Sequence, residues 1–128
     1  MKTGLHIFLG KITAVGILIM GLIHTIATFT PFVQEGLTCL SESDLQAMIY
    51  MTLGCGAFLI LGGLLLILML RKITQYSFLY PLILVTSILL FLGGILAIYY
   101  MSDNPFAWII CALCTIMLVI TLIIKKKL

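Results

Sequence analysis

Hydrophobic residues run almost unbroken through four stretches: Ile12 to Phe32, Gln46 to Leu70, Phe78 to Tyr100 and Pro105 to Ile124. Each holds about 20 residues, the number a helix rising about 1.5 Å per residue needs to cross hydrocarbon. The pattern predicts an all-α chain of four such helices, 12–32, 46–70, 78–100 and 105–124, joined by three polar connectors. Local chemistry marks where they start. Ser43 with Gln46 has the spacing of a capping box opening the second helix. Asp103 and Asn104 before Pro105 offer a cap and a first-turn proline to the fourth. Pro81 falls in the first turn of the third, where its missing N–H costs little. The first stretch follows a basic start, yet no small-residue cleavage pattern closes a short core, so it reads as a span and not a secretory signal.

Charge then gives the pattern a direction. All seven basic residues (Lys2, Lys11, Arg71, Lys72, Lys125, Lys126 and Lys127) lie near the N-terminus, in the second connector or at the C-terminus. All four acids (Glu35, Glu42, Asp44 and Asp103) lie in or beside the first and third connectors. Cytoplasmic loops collect Lys and Arg, so this sorting predicts a polytopic four-transmembrane-helix bundle, N-in/C-in, running up-down-up-down. Tyr76 and Tyr80 at one boundary, and Tyr99, Tyr100 and Trp108 at the other, fit interfacial aromatic belts. Hydrophobic residues are 63% of the 128 positions and charged residues 9%, against about 45–50% and about 25% in soluble domains. The expected partner is therefore a lipid bilayer, and the expected home a plasma (inner) membrane. The net charge of +3 marks one membrane face and implies no nucleic acid. Residues 1–128 form one integral-membrane domain, because the longest connector, 33–45, is too short to fold alone.

Several chemistries are excluded by what is missing. No span contains a carboxylate to relay protons, and no phosphate loop or Ser-His-Asp set is present. His6 and His24 stand about 27 Å apart on one helix, too far to clamp one haem. No resident cofactor or metal is expected, and the chain reads as leaning away from an enzyme. Glu35, Glu42 and Asp44 form an acidic loop of the kind that is usually only solvated.

Small residues suggest how the helices pack. Gly10 with Ala14 and Gly93 with Ala97 are small-xxx-small pairs, suited to close contacts within one bundle or to a homo-oligomer seam. Gly54, Gly56, Gly62 and Gly63 narrow the second long helix. The strings T-F-T-P-F at 28–32 and S-D-N-P-F at 102–106 hint weakly at a duplicated helical pair.

Polar residues concentrate in the acidic half of the spans. Counted from the helix ends, His24 lies about 11 Å deep, Cys55 about 13 Å, and Cys111 and Cys114 about 9 and 13 Å. Thr28, Tyr50, Asp103 and Trp108 lie nearer the surface on the same side. His24 is the only ionisable residue besides cysteine deep within a span, where such groups are costly and default to functional hypotheses. Its structural alternative is a neutral imidazole tying helices together.

Two classes of function follow. In the first, a non-enzymatic bundle opens a cleft around His24 to a small apolar ligand, a lipid or a partner membrane protein's helix. His24 then anchors the ligand, Thr28 lies beside it, Tyr50 and Trp108 form walls, and Asp103 sits at the rim. In the second, Cys111 and Cys114 cycle between dithiol and disulfide. Their C-x-x-C spacing puts both on one helix face. With four spans, inward termini and an external first loop, this layout resembles vitamin K epoxide reductase-like proteins. The resemblance implies membrane thiol–disulfide exchange, with Cys39 as the loop partner where those proteins use two loop cysteines. Buried thiols otherwise serve as small hydrophobes. A third reading makes the chain an accessory subunit of a membrane complex.

Overall fold

The computed structural model describes residues 2–125, apart from the side chains of Lys2, Thr3 and Phe32; Lys126 and Lys127 of the basic C-terminus lie outside the described residues. Every regular element among the described residues is helical: α1 Lys2–Ala27, α2 Pro31–Gly36, α3 Glu42–Lys72, α4 Tyr80–Tyr100 and α5 Pro105–Lys125, with a 3-10 turn at Ser77–Leu79. Four of them are long and apolar enough to cross a membrane.

The boundaries follow backbone chemistry more closely than hydropathy. α1 begins ten residues before the apolar run, because Ile7 and Gly10 already face the bundle while Leu5, Phe8 and Leu9 turn outward. It stops at Ala27, not Phe32. Pro31 disfavours the helical conformation for the residue before it, and Thr30 is extended at φ −78°, ψ 148°. Thr30 then caps the short α2, with Pro31 in its first turn. α3 also starts early, and its cap is Ser41, not the expected Ser43. The Ser41 hydroxyl accepts the Asp44 N–H at 3.3 Å and donates to the Asp44 carboxylate at 2.5 Å. The capping pair is thus Ser41/Asp44, displaced by two residues from Ser43/Gln46, since Asp44 occupies the third helical position that the motif requires. At α5 the Asn104 side chain accepts the Phe106 N–H at 3.0 Å, ahead of a first-turn proline.

Glycines set the helix order. A Cβ placed on Gly21 would stand 2.8 Å from the Ile60 nitrogen, and one on Gly63 2.8 Å from the Leu18 nitrogen. Gly10 lies against Leu70, and Gly56 against Thr25. Residue numbers fall along α1 as they rise along α3, so the two helices run antiparallel with their backbones touching. α4 and α5 form a second antiparallel pair: Gly94 packs on the Cα of Cys111, and the buried Ser87 and Thr121 hydroxyls meet at 3.0 Å. α1 and α5 join the pairs through Gly10 with Ile120 and Gly16 with Leu113. The Gly10/Ala14 pair is therefore used inside the bundle.

Ile17, Leu66, Leu70, Ile83, Leu90 and Met117 fill the centre. The outside is just as apolar, with Leu5, Phe8, Leu61, Val85 and Leu96 all exposed. A surface of this kind needs a non-aqueous neighbour. The helix directions also collect the charges: Arg71, Lys72 and Lys125 reach one end of the bundle, and Glu35, Glu42, Asp44 and Asp103 reach the other. The bundle thus has a basic end and an acidic end.

Candidate functional site

The fourth seam, between α3 and α4, is built differently from the other three. Its close contacts are Leu90 against Gly62 and Phe58 against Gly93, near the middle of both helices. Toward the acidic end the two helices part and leave a cavity of about 760 Å³. α3 contributes Met48, Met51, Thr52, Gly54, Cys55 and Phe58 to its lining. α4 contributes Leu90, Gly93, Leu96, Ala97 and Tyr100, and Met101 follows at the rim. His24 of α1 and Ile110 of α5 close it from behind. Toward the basic end the same seam leaves only about 160 Å³, beside Leu61, Leu65, Thr86 and Leu89.

The larger space exists because side chains are missing there. Gly54 has nothing within 4 Å of where a Cβ would be. Gly93 and Ala97 face the opening with the smallest side chains available. Of the pair read from the sequence as a packing motif, Gly93 meets only the Phe58 ring and Ala97 lines the groove. Methionines at the mouth add flexible, polarisable walls that adapt to irregular shapes.

His24 is the one His, Lys, Arg, Asp or Glu in this lining, and it is half-buried. Its position is fixed by the α1–α3 seam, since Gly21 and Gly56 bring the two backbones together on either side of it. The ring hydrogen-bonds to the main-chain carbonyl of Thr52. The Thr52 hydroxyl is already committed, donating to the Met48 carbonyl at 2.7 Å. Thr25, the residue after His24 on α1, likewise donates to the Gly21 carbonyl at 2.9 Å.

The other expected cleft residues lie elsewhere. Thr28 is 2% exposed, and its hydroxyl donates to the His24 carbonyl on the same helix; it does not face the groove. Tyr50 is 79% exposed and points away from the lining face, so it is not a wall. Trp108 is also exposed, and its indole N–H donates to the Ser102 carbonyl at 2.8 Å, which ties down the third connector. Asp103 is exposed at the acidic end and outside the lining. The walls are instead methionine, leucine and small residues. Besides His24, depth in the sequence points to Cys55, while Gly54, Gly93 and Ala97 stand out there only as packing positions.

The cysteines do not converge. All four are free thiols. Cys114 is 0% exposed within the core cluster, whereas Cys111 is half-buried against Gly94. Cys39 is exposed in the first connector, and Cys55 faces the groove. Among the described residues no three His, Cys, Asp or Glu side chains gather as metal ligands. In comparisons with protein-family models, curated proteins and solved structures, nothing matches this chain.

Proposed function

We propose that the chain is an integral membrane protein of the plasma (inner) membrane. Both termini are cytoplasmic, the four long helices cross up-down-up-down, and the groove between α3 and α4 receives a small apolar molecule from the outer half of the bilayer. The activity is binding and not catalysis. One observation carries this reading: an apolar space of about 760 Å³ with a single deep imidazole on its floor. Ligand sites commonly measure about 300–1,000 Å³, are mostly apolar with a few converging polar groups, and lie between helices of bundles. Water is a poor tenant for such walls, because apolar cavities stay dry. A hydrocarbon guest regains the dispersion contacts that the parted helices lack.

Burial of Cys114 makes thiol exchange the less supported alternative, since a reactive thiol must be reached by its partner. Orientation rests on the separation of charges, with the basic end facing the cytoplasm.

The test is composition of the purified protein. Apolar compounds are extracted from wild type, Gly54→Phe and Gly4→Phe after purification from native membranes. Gly4 and Gly54 both have open space around a new side chain, but only Gly54 faces the groove. One compound retained near stoichiometrically by wild type and Gly4→Phe, and lost from Gly54→Phe, is the expected result. Identical extracts from all three proteins contradict the proposal.

A further inference from the structure

The shape and polarity of the groove restrict what kind of molecule it takes, and the following rests on the groove being a binding site. First, the seam is interrupted. Phe58 stands near the middle of α3, its ring 3.4 Å from a Cβ on Gly93, and Leu90 closes on Gly62 one turn further along. From Met48 to Phe58 the groove is about 15 Å long, half of a hydrocarbon layer of about 30 Å. A partner helix crossing the whole membrane would meet this block, whereas a molecule confined to one leaflet would not.

Second, among the described residues no lysine or arginine lines the groove. The charges at its open end are acids, with Glu42 and Asp44 opening α3 and Asp103 ahead of α5. An anionic headgroup finds no counter-charge there and meets like charge. No carboxylate lines the groove either, so a cation is also left without a partner inside it, and the guest is neutral.

Third, the floor asks for a donor. A neutral imidazole has one N–H and one acceptor nitrogen. His24 spends its N–H on the Thr52 carbonyl. Thr52 cannot supply the donor, because its only hydroxyl proton is held by Met48, and Tyr100, the other hydroxyl in the lining, is 76% exposed at the mouth. In an apolar cavity an acceptor is worth satisfying, and an O–H on the guest does so.

We infer that the groove selects a neutral, single-leaflet lipid carrying one hydroxyl group, whose O–H donates to the free ring nitrogen of His24 while its hydrocarbon lies along Met51 and Ala97. Long-chain and isoprenoid alcohols belong to this chemical class.

The experiment uses the full chain in phosphatidylcholine nanodiscs with three diazirine photoprobes of equal length: hexadecanol, hexadecane and hexadecanoate analogues. Labelled peptides are mapped by mass spectrometry in wild type, His24→Phe, His24→Gln and Gly54→Phe. The alcohol is expected to label 48–58 and 90–101 about five-fold more than the alkane, equivalent to about 1 kcal/mol at about 1.4 kcal/mol per tenfold. His24→Phe should abolish that preference while alkane labelling persists, which also shows that the variant folds. His24→Gln, whose amide oxygen still accepts, should keep part of the preference. Gly54→Phe should suppress labelling by every probe. Equal labelling by alcohol and alkane, stronger labelling by the carboxylate, or a preference that survives His24→Phe overturns the hydroxyl assignment and leaves the groove reading intact. Absence of groove labelling by any probe overturns both.

Discussion

Replacing Gly21 by alanine tests the geometry on which the site is built. The new methyl would lie 2.8 Å from the Ile60 nitrogen and 2.9 Å from the Leu59 Cβ. Comfortable non-bonded contacts are about 3.5–4.0 Å, so α1 and α3 must separate by about 0.7 Å or more. The obstacle is backbone, which cannot rotate aside as a flexible side chain does. Forcing one methylene into a filled interior typically costs about 1–3 kcal/mol. Gly63→Ala should behave alike, since its Cβ meets the Leu18 nitrogen at 2.8 Å and the Ala14 carbonyl at 2.9 Å. Gly54→Ala is the control: nothing lies within 4 Å, and its stability should stay within about 0.5 kcal/mol of wild type. The assay is reversible unfolding in mixed micelles at rising dodecyl sulfate, followed by the fluorescence of Trp108, the sole tryptophan. Gly21→Ala should also weaken retention of the groove ligand, because the seam it opens holds His24 beside Thr52. Equal stability of all three variants, or a loss confined to Gly54→Ala, would refute the reasoning.

Other consequences are as specific. Ser87 and Thr121 are fully buried, and each has one proton to share between its own helix carbonyl and the other hydroxyl. Ser87→Ala should therefore cost about 0.5–1.5 kcal/mol, and a double-mutant cycle with Thr121→Val should show a coupling of about 0.6 kcal/mol; zero coupling would mean that the hydroxyls do not bond to each other. Cys114 should resist alkylation in the folded protein while exposed Cys39 reacts, and Cys111→Ala with Cys114→Ala should retain ligand; equal reactivity, or loss of binding in the double variant, would favour thiol chemistry instead. A membrane-impermeant maleimide should label Cys39 in intact cells and fail on Cys39→Ser; labelling only after permeabilisation would reverse the orientation.

How far the sequence reaches can be traced residue by residue. Apolar length located the four long helices, and Pro81 and Pro105 marked starts that the structure keeps. Hydropathy alone starts the first helix too late and extends it too far, because it registers neither the amphipathic Ile7–Gly10 turn nor the conformational veto that Pro31 places on Thr30. Counting along helices put His24 and Cys55 at one depth, and both do line the groove. Depth does not supply azimuth. Tyr50 lies between Met48 and Met51, yet one residue turns a helix by about 100°, enough to carry its ring off the lining face. Trp108 and Thr28 were drawn to the site by their chemistry, but Ser102 and the His24 carbonyl satisfy them first. The groove itself was the least visible feature. Gly54, Gly93 and Ala97 have the same spacing signals as a tight contact, and only the positions of α3 and α4 reveal that no backbone fills the space between them.

The most direct measurement is an experimental density map of the protein in lipid nanodiscs. Elongated density between α3 and α4, running from the level of Met48 to Phe58 and touching His24, is the expected result. Met51 packed against Ala97, with the seam shut and His24 enclosed by its own chain, would contradict the existence of a binding groove.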